Sequence, residues 1–313
     1  MRRRRSGRVA FVLAIVGIAG LALRVESVAL DAQEVFRSAV DLVTIQASVR
    51  DEKGRVIRGL TSADFEVRDN GQLQPVLELR ADLQSPVTIA ILVDMSGSMK
   101  VGTKIAMARQ VFQSMLRQLR DNVDAVALYA FDSSLHERVG FTTDMSRLDG
   151  ALADFDPFGS TSLYDAAAAT ARELAVRPAS HRAIVILTDG VDTSSQLSAT
   201  EVSGLASSID VPVYVVATVP ALDHRQMLET AERTPLASDG ADLRDLATWT
   251  GGQLVFATTL SETVFAASSI LDELRQQYVL AIEAANVREW RRLDVRVKNS
   301  SAKVKARSGY FGG

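Results

Sequence analysis

Cysteine is absent from this chain of 313 residues, and histidine occurs only three times. Without cysteine the protein can form no disulfide bond and cannot carry a lipid on an N-terminal cysteine. The histidines, His136, His181 and His224, lie far apart and without the spacing that metal ligands show in a zinc motif. A zinc site built from cysteine and histidine is therefore not expected.

The chain also lacks internal repeats and low-complexity tracts, which argues against a solenoid, a coiled coil or a collagen-like protein. Apolar residues make up 47% of the sequence and charged residues 23%, a balance that is typical of folded globular proteins. The length is sufficient for two domains of ordinary size.

Residues 1–32 differ from the rest and have the composition of a leader. Arg2–Arg5 precede an apolar run, Val9–Leu23, of about 15 residues, which suits a signal peptide and is short for a membrane span of roughly 20. The small residues Ser27 and Ala29 predict cleavage after Ala29, and hence export to the periplasm or the exterior. The alternative is a retained anchor, in which residues 9–23 hold the chain in the inner membrane.

The leader also hides the charge of the remaining chain. It holds six arginines against Glu26 and Asp31, so a total of −3 leaves about −7 on residues 33–313. A mildly acidic protein of this kind argues against nucleic acid as a partner, and contact with a membrane is expected only through the leader.

Two segments at the ends of the chain, residues 38–84 and 277–311, show the alternation of apolar and polar residues that predicts β-strands. Gly54 is expected in a hairpin connection, and Asp69-Asn70-Gly71 in a tight turn between two strands. Each segment is too small to bury a core alone. We therefore predict that the two pair into one small β-sandwich.

Residues 86–275 alternate continuous apolar strands with amphipathic helices, the pattern of a parallel sheet covered on both faces. A helix is also predicted for "DMSRLDGALADF" (residues 144–155), and the polar stretch 219–241 is expected to be a surface loop or a partly helical insertion. The predicted fold is α/β: a Rossmann-like, doubly wound, mainly parallel sheet that is inserted in, or flanked by, the β-sandwich.

Oxygen-bearing side chains follow two of the apolar strands. Asp94 ends "VTIAILVD" and is followed by Ser96 and Ser98, while Asp189 follows "AIVILT" and Thr161 precedes a helix. Ligands of open α/β sheets bind at the carboxyl ends of the strands, so we expect these five residues to converge there. Carboxylates and hydroxyls suit a hard cation, Mg²⁺ or Mn²⁺, and leave a coordination position for a carboxylate from a partner.

Simpler interpretations exist for some of these residues. Taken alone, the D-x-S-x-S element at Asp94 would be read as a helix N-cap. Asp132 and Asp192 lie near the same end of the sheet, where capping or a solvated loop is expected for them rather than a place in the metal site.

The elements Asp94-Met95-Ser96-Gly97-Ser98, Thr161 and Thr188-Asp189-Gly190, in this order and these strand contexts, resemble the von Willebrand factor type A family. The resemblance covers roughly residues 86–275 and implies a metal-ion-dependent adhesion site. In that family the two serines and the threonine contact the metal, and the aspartates often act through water. The wider layout is similar to that of exported bacterial proteins with such domains.

Three functions are considered. The first is a non-catalytic adhesion or binding protein that grips an acidic side chain of a protein partner through the metal. The second is a Mg²⁺-dependent phosphotransferase of the haloacid-dehalogenase type, which is disfavoured because Ser96 occupies the position of the general acid and because no lysine lies in an evident phosphate loop. The third is a structural subunit whose cation only rigidifies the sheet.

Overall fold

A computed structural model describes residues 42–81, 85–153, 156–178, 181–190, 192–208, 210–219, 239–298 and 301–312, with residues 208 and 239–242 described as backbone only. The leader and most of the stretch 219–241 lie outside these residues, so the predictions made for them stay predictions. In the described part of the chain, no helix combines the length and apolarity of a membrane span.

Strands dominate the two ends of the chain, and helices alternate with strands in the middle. The strands are β1 (Leu42–Arg50), β2 (Phe65–Asp69), β3 (Gln72–Gln74), β4 (Glu78–Arg80), β5 (Val87–Asp94), β6 (Ala125–Phe131), β7 (Leu135–Thr142), β8 (His181–Thr188), β9 (Val213–Thr218), β10 (Leu254–Ala257), β11 (Gln277–Glu283), β12 (Trp290–Val297), β13 (Lys303–Ala306) and β14 (Gly309–Phe311). The helices are α1 (Lys104–Leu116), α2 (Leu163–Ala175), α3 (Ala199–Ser208), α4 (Asp239–Thr250) and α5 (Leu260–Arg275).

The middle of the chain forms a six-stranded sheet in the order β10-β9-β8-β5-β6-β7. All pairs are parallel except β6–β7, which is antiparallel. Every residue of β5 is buried, because α1 and α5 cover one face of the sheet while α2, α3 and α4 cover the other. The chain leaves β5 towards β6 on one side and later returns to β8 on the other. The point where strand order reverses, which is where open α/β sheets bind ligands, thus lies between β5 and β8.

Two four-stranded antiparallel sheets, β13-β1-β11-β4 and β14-β12-β2-β3, are built from both ends of the chain. β1 pairs with β11 and β13, and β2 pairs with β12, so each sheet joins strands from before and after the α/β region. An apolar cluster joins the two sheets, with Phe65 and Tyr278 in edge contact at 5.3 Å between ring centroids. The predicted fold class is confirmed; the boundaries between the parts stay a prediction.

Two predicted turns and one predicted helix can be compared directly with the structure. Asn70 and Gly71 form the predicted tight turn, both with positive φ (46° and 82°), and connect β2 with β3. Gly54 lies, with a φ of 77°, in the predicted hairpin connection: Arg50 at the end of β1 forms an antiparallel bridge with Val56, and the Ile57 N–H donates to the Val49 carbonyl at 2.9 Å. The next strand, β2, belongs to the other sheet. Within the described residues 144–153, the predicted helix is replaced by a 3-10 turn, Met145–Leu148, and Gly150 then adopts a φ of 72°.

Candidate metal-binding site

Asp94, the last residue of β5, links the two central strands at the point where strand order reverses. Its side chain is fully buried. One carboxylate oxygen, Oδ1, accepts a hydrogen bond from the Ser96 backbone N–H at 2.8 Å. The other, Oδ2, accepts one from the Thr188 hydroxyl at 2.6 Å. Because Thr188 ends β8, Asp94 holds the carboxyl ends of β5 and β8 together.

The serines after β5 place their hydroxyls side by side. Ser96 Oγ lies 3.1 Å from Ser98 Oγ, and Ser96 is buried whereas Ser98 is exposed. Ser96 precedes a 3-10 turn, Gly97–Lys100, yet its side chain makes no capping hydrogen bond there. The N-cap interpretation of this element therefore has no hydrogen bond to support it. The two hydroxyls instead form a pair that reaches from the interior to solvent.

The segment that carries Thr161 is bound to the loops after β5 and β8. On one side the Phe158 N–H donates to the Met95 carbonyl at 2.7 Å, and the Gly97 N–H donates to the Gly159 carbonyl at 3.0 Å. On the other side the Thr161 N–H donates to Thr193 Oγ1 at 2.9 Å. Thr161, which is buried, consequently lies between the segment that follows Asp94 and the segment that follows Asp189.

Asp189 follows β8 and is almost entirely buried. Its Oδ2 accepts a hydrogen bond from the Lys104 ammonium group at 2.9 Å, while its buried Oδ1 has no hydrogen-bond partner among the described residues. Gly190 then turns the chain with a φ of 98°, and its N–H donates to Thr188 Oγ1 at 3.0 Å. A buried carboxylate oxygen without a partner is costly, which makes it a natural ligand for a cation.

The electrostatics of the site follow from two carboxylates in a buried position. Burial raises the pKa of Asp94 to about 6, and the nearby charge of Asp189 acts in the same direction. Hydrogen bonds from Thr188 and Ser96 limit this rise because they stabilise the ionised form. Additional positive charge would relieve the remaining repulsion between the two carboxylates.

These side chains fit a hard divalent cation. They comprise two carboxylates and three hydroxyls, which are oxygen donors of the type that Mg²⁺ and Mn²⁺ bind. Within the described residues no group of three or more His, Cys, Asp and Glu side chains comes together. The site would thus depend on the hydroxyls of Ser96, Ser98 and Thr161.

Sequence reasoning missed two residues of this site. Thr188 was named only within the element Thr188-Asp189-Gly190 and was given no role, although its hydroxyl donates a hydrogen bond to Asp94. Lys104 was read as part of an amphipathic helix, although a basic residue in the first turn is unfavourable and could have drawn notice. Asp192 accepts hydrogen bonds from the N–H groups of Leu163 and Tyr164 at the start of α2, in agreement with the expected capping role.

Comparison with known proteins gives the following matches. Residues 89–191 match the model of the family described as von Willebrand factor type A domain. The structure is similar to that of a von Willebrand factor type A protein from Catenulispora acidiphila, with 12% identity, a TM-score of 0.51, and coverage of 86% of this chain and 73% of that one. This similarity supports the fold alone.

Two further solved structures have TM-scores below 0.5. The protein BatB from Bacteroides thetaiotaomicron has 16% identity and a TM-score of 0.47, with coverage of 60% of this chain and 98% of that one. The proximal thread matrix protein 1 of the mussel byssus, with a zinc-occupied MIDAS motif, has 13% identity and a TM-score of 0.49; 65% of this chain covers 50% of that one. No curated protein matches the chain.

Proposed function

Because the chain contains a von Willebrand factor type A domain, we propose that it is an exported, non-catalytic binding protein. A divalent cation, Mg²⁺ or Mn²⁺, is held by the side chains of Asp94, Ser96, Ser98, Thr161 and Asp189. The cation grips an acidic side chain of a protein partner. The observation that carries this proposal is the buried Oδ1 of Asp189, which has no hydrogen-bond partner among the described residues and lies in a site with a second buried carboxylate and several hydroxyls.

Exposure supports the direction from which a partner would approach. Asp94 and Asp189 lie inside the protein, whereas Ser98 is open to solvent, so the site is accessible on the side of the serine loop. The bound cation would supply a strong and directional attraction for one carboxylate there. The partner is consequently expected to present an Asp or Glu side chain.

Apolar side chains on the same two loops support contact with a protein rather than with a small anion. Val101 follows the serine loop and is 61% exposed, and Phe158 precedes Thr161 and is 79% exposed. Exposed apolar residues around a polar site are typical of protein interaction surfaces. They would pack against the partner around its acidic residue.

The phosphotransferase alternative finds less support. Lys104 at Asp189 is a feature that the sequence analysis did not expect, and a lysine would suit phosphate binding. However, both oxygens of Asp94 are engaged by Ser96 and Thr188 in a fully buried position, which is unfavourable for a nucleophile. Ser96 also cannot serve as a general acid at neutral pH. Hydrolysis of p-nitrophenyl phosphate in Mg²⁺ would favour this alternative.

The metal site is tested by titrating the chelator-treated protein with Mn²⁺ and measuring free Mn²⁺ by electron paramagnetic resonance. We expect one bound ion per chain, and an affinity at least about tenfold weaker for Ser98→Ala, since a hydroxyl ligand is lost. Ser146→Ala is the matched control, because Ser146 is also an exposed serine in a 3-10 turn, away from the site. Equal affinity of Ser98→Ala and the control would contradict the proposed ligand set.

Partner recognition is tested on a peptide array in which every peptide with one Asp or Glu has an Asn or Gln twin. We expect the protein to bind acidic peptides in the presence of Mg²⁺ and to release them in chelator. It should not bind the Asn and Gln twins. Binding that persists in chelator would favour a purely structural cation.

Export is tested by expressing the tagged protein in a bacterial host and measuring its mass. The mass shows whether the leader has been cleaved after Ala29.

A further inference from the structure

Lys104 is the first residue of α1 and the cationic partner of Asp189. Its Nζ lies 2.9 Å from Asp189 Oδ2, and the pair is largely buried, with 13% of the lysine side chain and 3% of the aspartate side chain exposed. A positive charge at the N-terminus of a helix is opposed by the helix dipole. The lysine is therefore held by the carboxylate and gains nothing from its own helix.

We propose that Lys104 is a tethered cation that competes with the divalent ion for Asp189 and thereby sets the metal concentration at which the site loads. This inference rests on the proposed function, because it concerns the same site. In the metal-free chain the ammonium group balances part of the charge of the two carboxylates. The ion can bind the Asp189 carboxylate without this competition only when the ammonium group moves away.

Charge and reach support this competition. One Asp189 oxygen accepts a hydrogen bond from the ammonium group and the other has no partner in the part of the chain that the structure describes, so an ion that coordinates Asp189 would lie a few ångströms from Lys104. Repulsion between a divalent and a monovalent cation at such a distance is much larger than thermal energy in a partly buried site. The four-carbon stem of lysine is flexible and allows its head group to swing towards solvent.

The test measures Mn²⁺ affinity and thermal stability in the variants Lys104→Gln and Lys104→Met. Without the competing cation, we expect Mn²⁺ to bind about tenfold more tightly than to the wild-type chain. In chelator the same variants should melt at a lower temperature, because the buried Asp189 then lacks its cationic partner. Added Mn²⁺ should consequently raise their melting temperature by more than it raises that of the wild type.

Two controls separate competition from other effects. Lys104→Arg keeps the positive charge and should bind Mn²⁺ like the wild type. Lys100→Met removes a charge just after the serine loop, where Lys100 pairs with the exposed Asp156 and not with Asp189. If Lys100→Met raised the affinity for Mn²⁺ equally, the effect would be due to general electrostatics, and this result would overturn the proposal.

The failure of this inference can be told apart from the failure of the proposed function. If the wild-type chain and all Lys104 variants bind no Mn²⁺, the metal site itself is wrong. If the wild type binds Mn²⁺ and both neutral variants bind it equally or more weakly, Lys104 is only a structural partner of Asp189. If the neutral variants melt at a lower temperature in chelator and also bind Mn²⁺ more tightly than the wild type, the competition is supported.

Discussion

At the scale of single residues, the burial of the Asp94 carboxylate is a main feature of the electrostatics of the site. It is a fully buried carboxylate with two hydrogen bonds, next to a second buried carboxylate. Hydrogen bonds alone do not offset its burial, which is why its pKa lies above the usual range. The ionised form of Asp94 therefore destabilises the fold, and additional positive charge nearby would reduce this cost.

The pH dependence of stability in chelator tests this description of Asp94. Its pKa rises from 3.8 to about 6 on folding, so the folded chain binds the proton more tightly than the unfolded chain. The contribution of Asp94 is therefore fully present below pH 4 and is lost as pH rises through 6, by about 3 kcal/mol at 1.36 kcal/mol per pKa unit. Urea unfolding at several pH values measures this loss.

Asp94→Asn is the comparison, since the amide keeps the shape of the carboxylate but cannot ionise. The difference in unfolding free energy between the variant and the wild type should shift in favour of the variant between pH 4 and pH 6. Taking the difference removes the pH dependence of the carboxylates that do not interact with Asp94. Parallel profiles for the two proteins would contradict a raised pKa.

At the scale of elements, one buried carboxylate fixes three segments of the α/β region. Asp124 Oδ1 accepts hydrogen bonds from Arg120 Nη2 at 2.7 Å and from the N–H of Val87, the first residue of β5, at 3.2 Å. Its Oδ2 accepts one from Arg275 Nη2 at 2.8 Å, at the end of α5. The chain after α1, the start of β5 and the end of α5 are thereby held together.

Asp124→Asn should destabilise the protein by about 3 kcal/mol at pH 7, because an amide leaves two arginines without their counter-charge. Burial alone would raise the pKa of Asp124, but the hydrogen bonds from Arg120, Val87 and Arg275 together outweigh it and lower the pKa. Its contribution is therefore present above the unfolded pKa near 4 and is lost as pH falls further, the reverse of Asp94.

Urea unfolding at pH 7 and pH 3 checks this prediction, with the exposed Asp149→Asn as the control. The destabilisation of Asp124→Asn should be smaller at pH 3. A cost that does not change with pH, or that the control shares, would disprove the assignment to the charge of Asp124.

At the scale of the whole molecule, a buried glutamate near the end of α5 connects the α/β sheet with the antiparallel strands. Glu273 accepts hydrogen bonds from the Tyr214 hydroxyl at 3.2 Å and from the Lys305 ammonium group at 2.8 Å, and Arg50 lies 3.5 Å away. Tyr214 belongs to β9, Lys305 to β13 and Arg50 to β1. Burial, together with the charge of Glu273, raises the pKa of Tyr214 well above its usual value.

Arg307 connects the same two regions with hydrogen bonds to the backbone carbonyls of Ser207 in α3 and Thr44 in β1. Its side chain also lies 3.4 Å from Asp210 and is nearly fully buried. Because these contacts are buried and charged, the α/β sheet and the antiparallel strands should unfold together.

Glu273→Gln tests this coupling. We expect a loss of about 3 kcal/mol in the free energy of unfolding, because Lys305 and Arg50 lose their shared counter-charge. Hydrogen exchange should become faster in β1 and β13 than in β5 and β8, since the junction opens first. The exposed Glu283→Gln should change the stability by less than about 0.5 kcal/mol. Uniform exchange throughout the variant would argue against a coupling role.

The sequence by itself determined the elements and the composition of the candidate site. Apolar runs followed by Asp94 and Asp189 predict parallel strands with carboxylates at their ends, and Asn70-Gly71 predicts its turn, because these signals depend on neighbours in the chain. The same local rules failed at residues 144–153, where the 3-10 turn ends at Leu148 and Gly150, with a positive φ, follows. That the five oxygen-bearing side chains bind a metal stays a prediction.

Only the tertiary structure decided which distant residues meet. It paired β1 with β11 and β13 rather than with the next strand, and it brought Lys104 to Asp189 and Thr188 to Asp94. Lys104 and Asp189 are 85 positions apart in the chain, and Thr188 and Asp94 are 94 positions apart. Such contacts depend on how whole layers pack, because burial of apolar faces selects the strand order, and the strand order then selects the neighbours of every charged group.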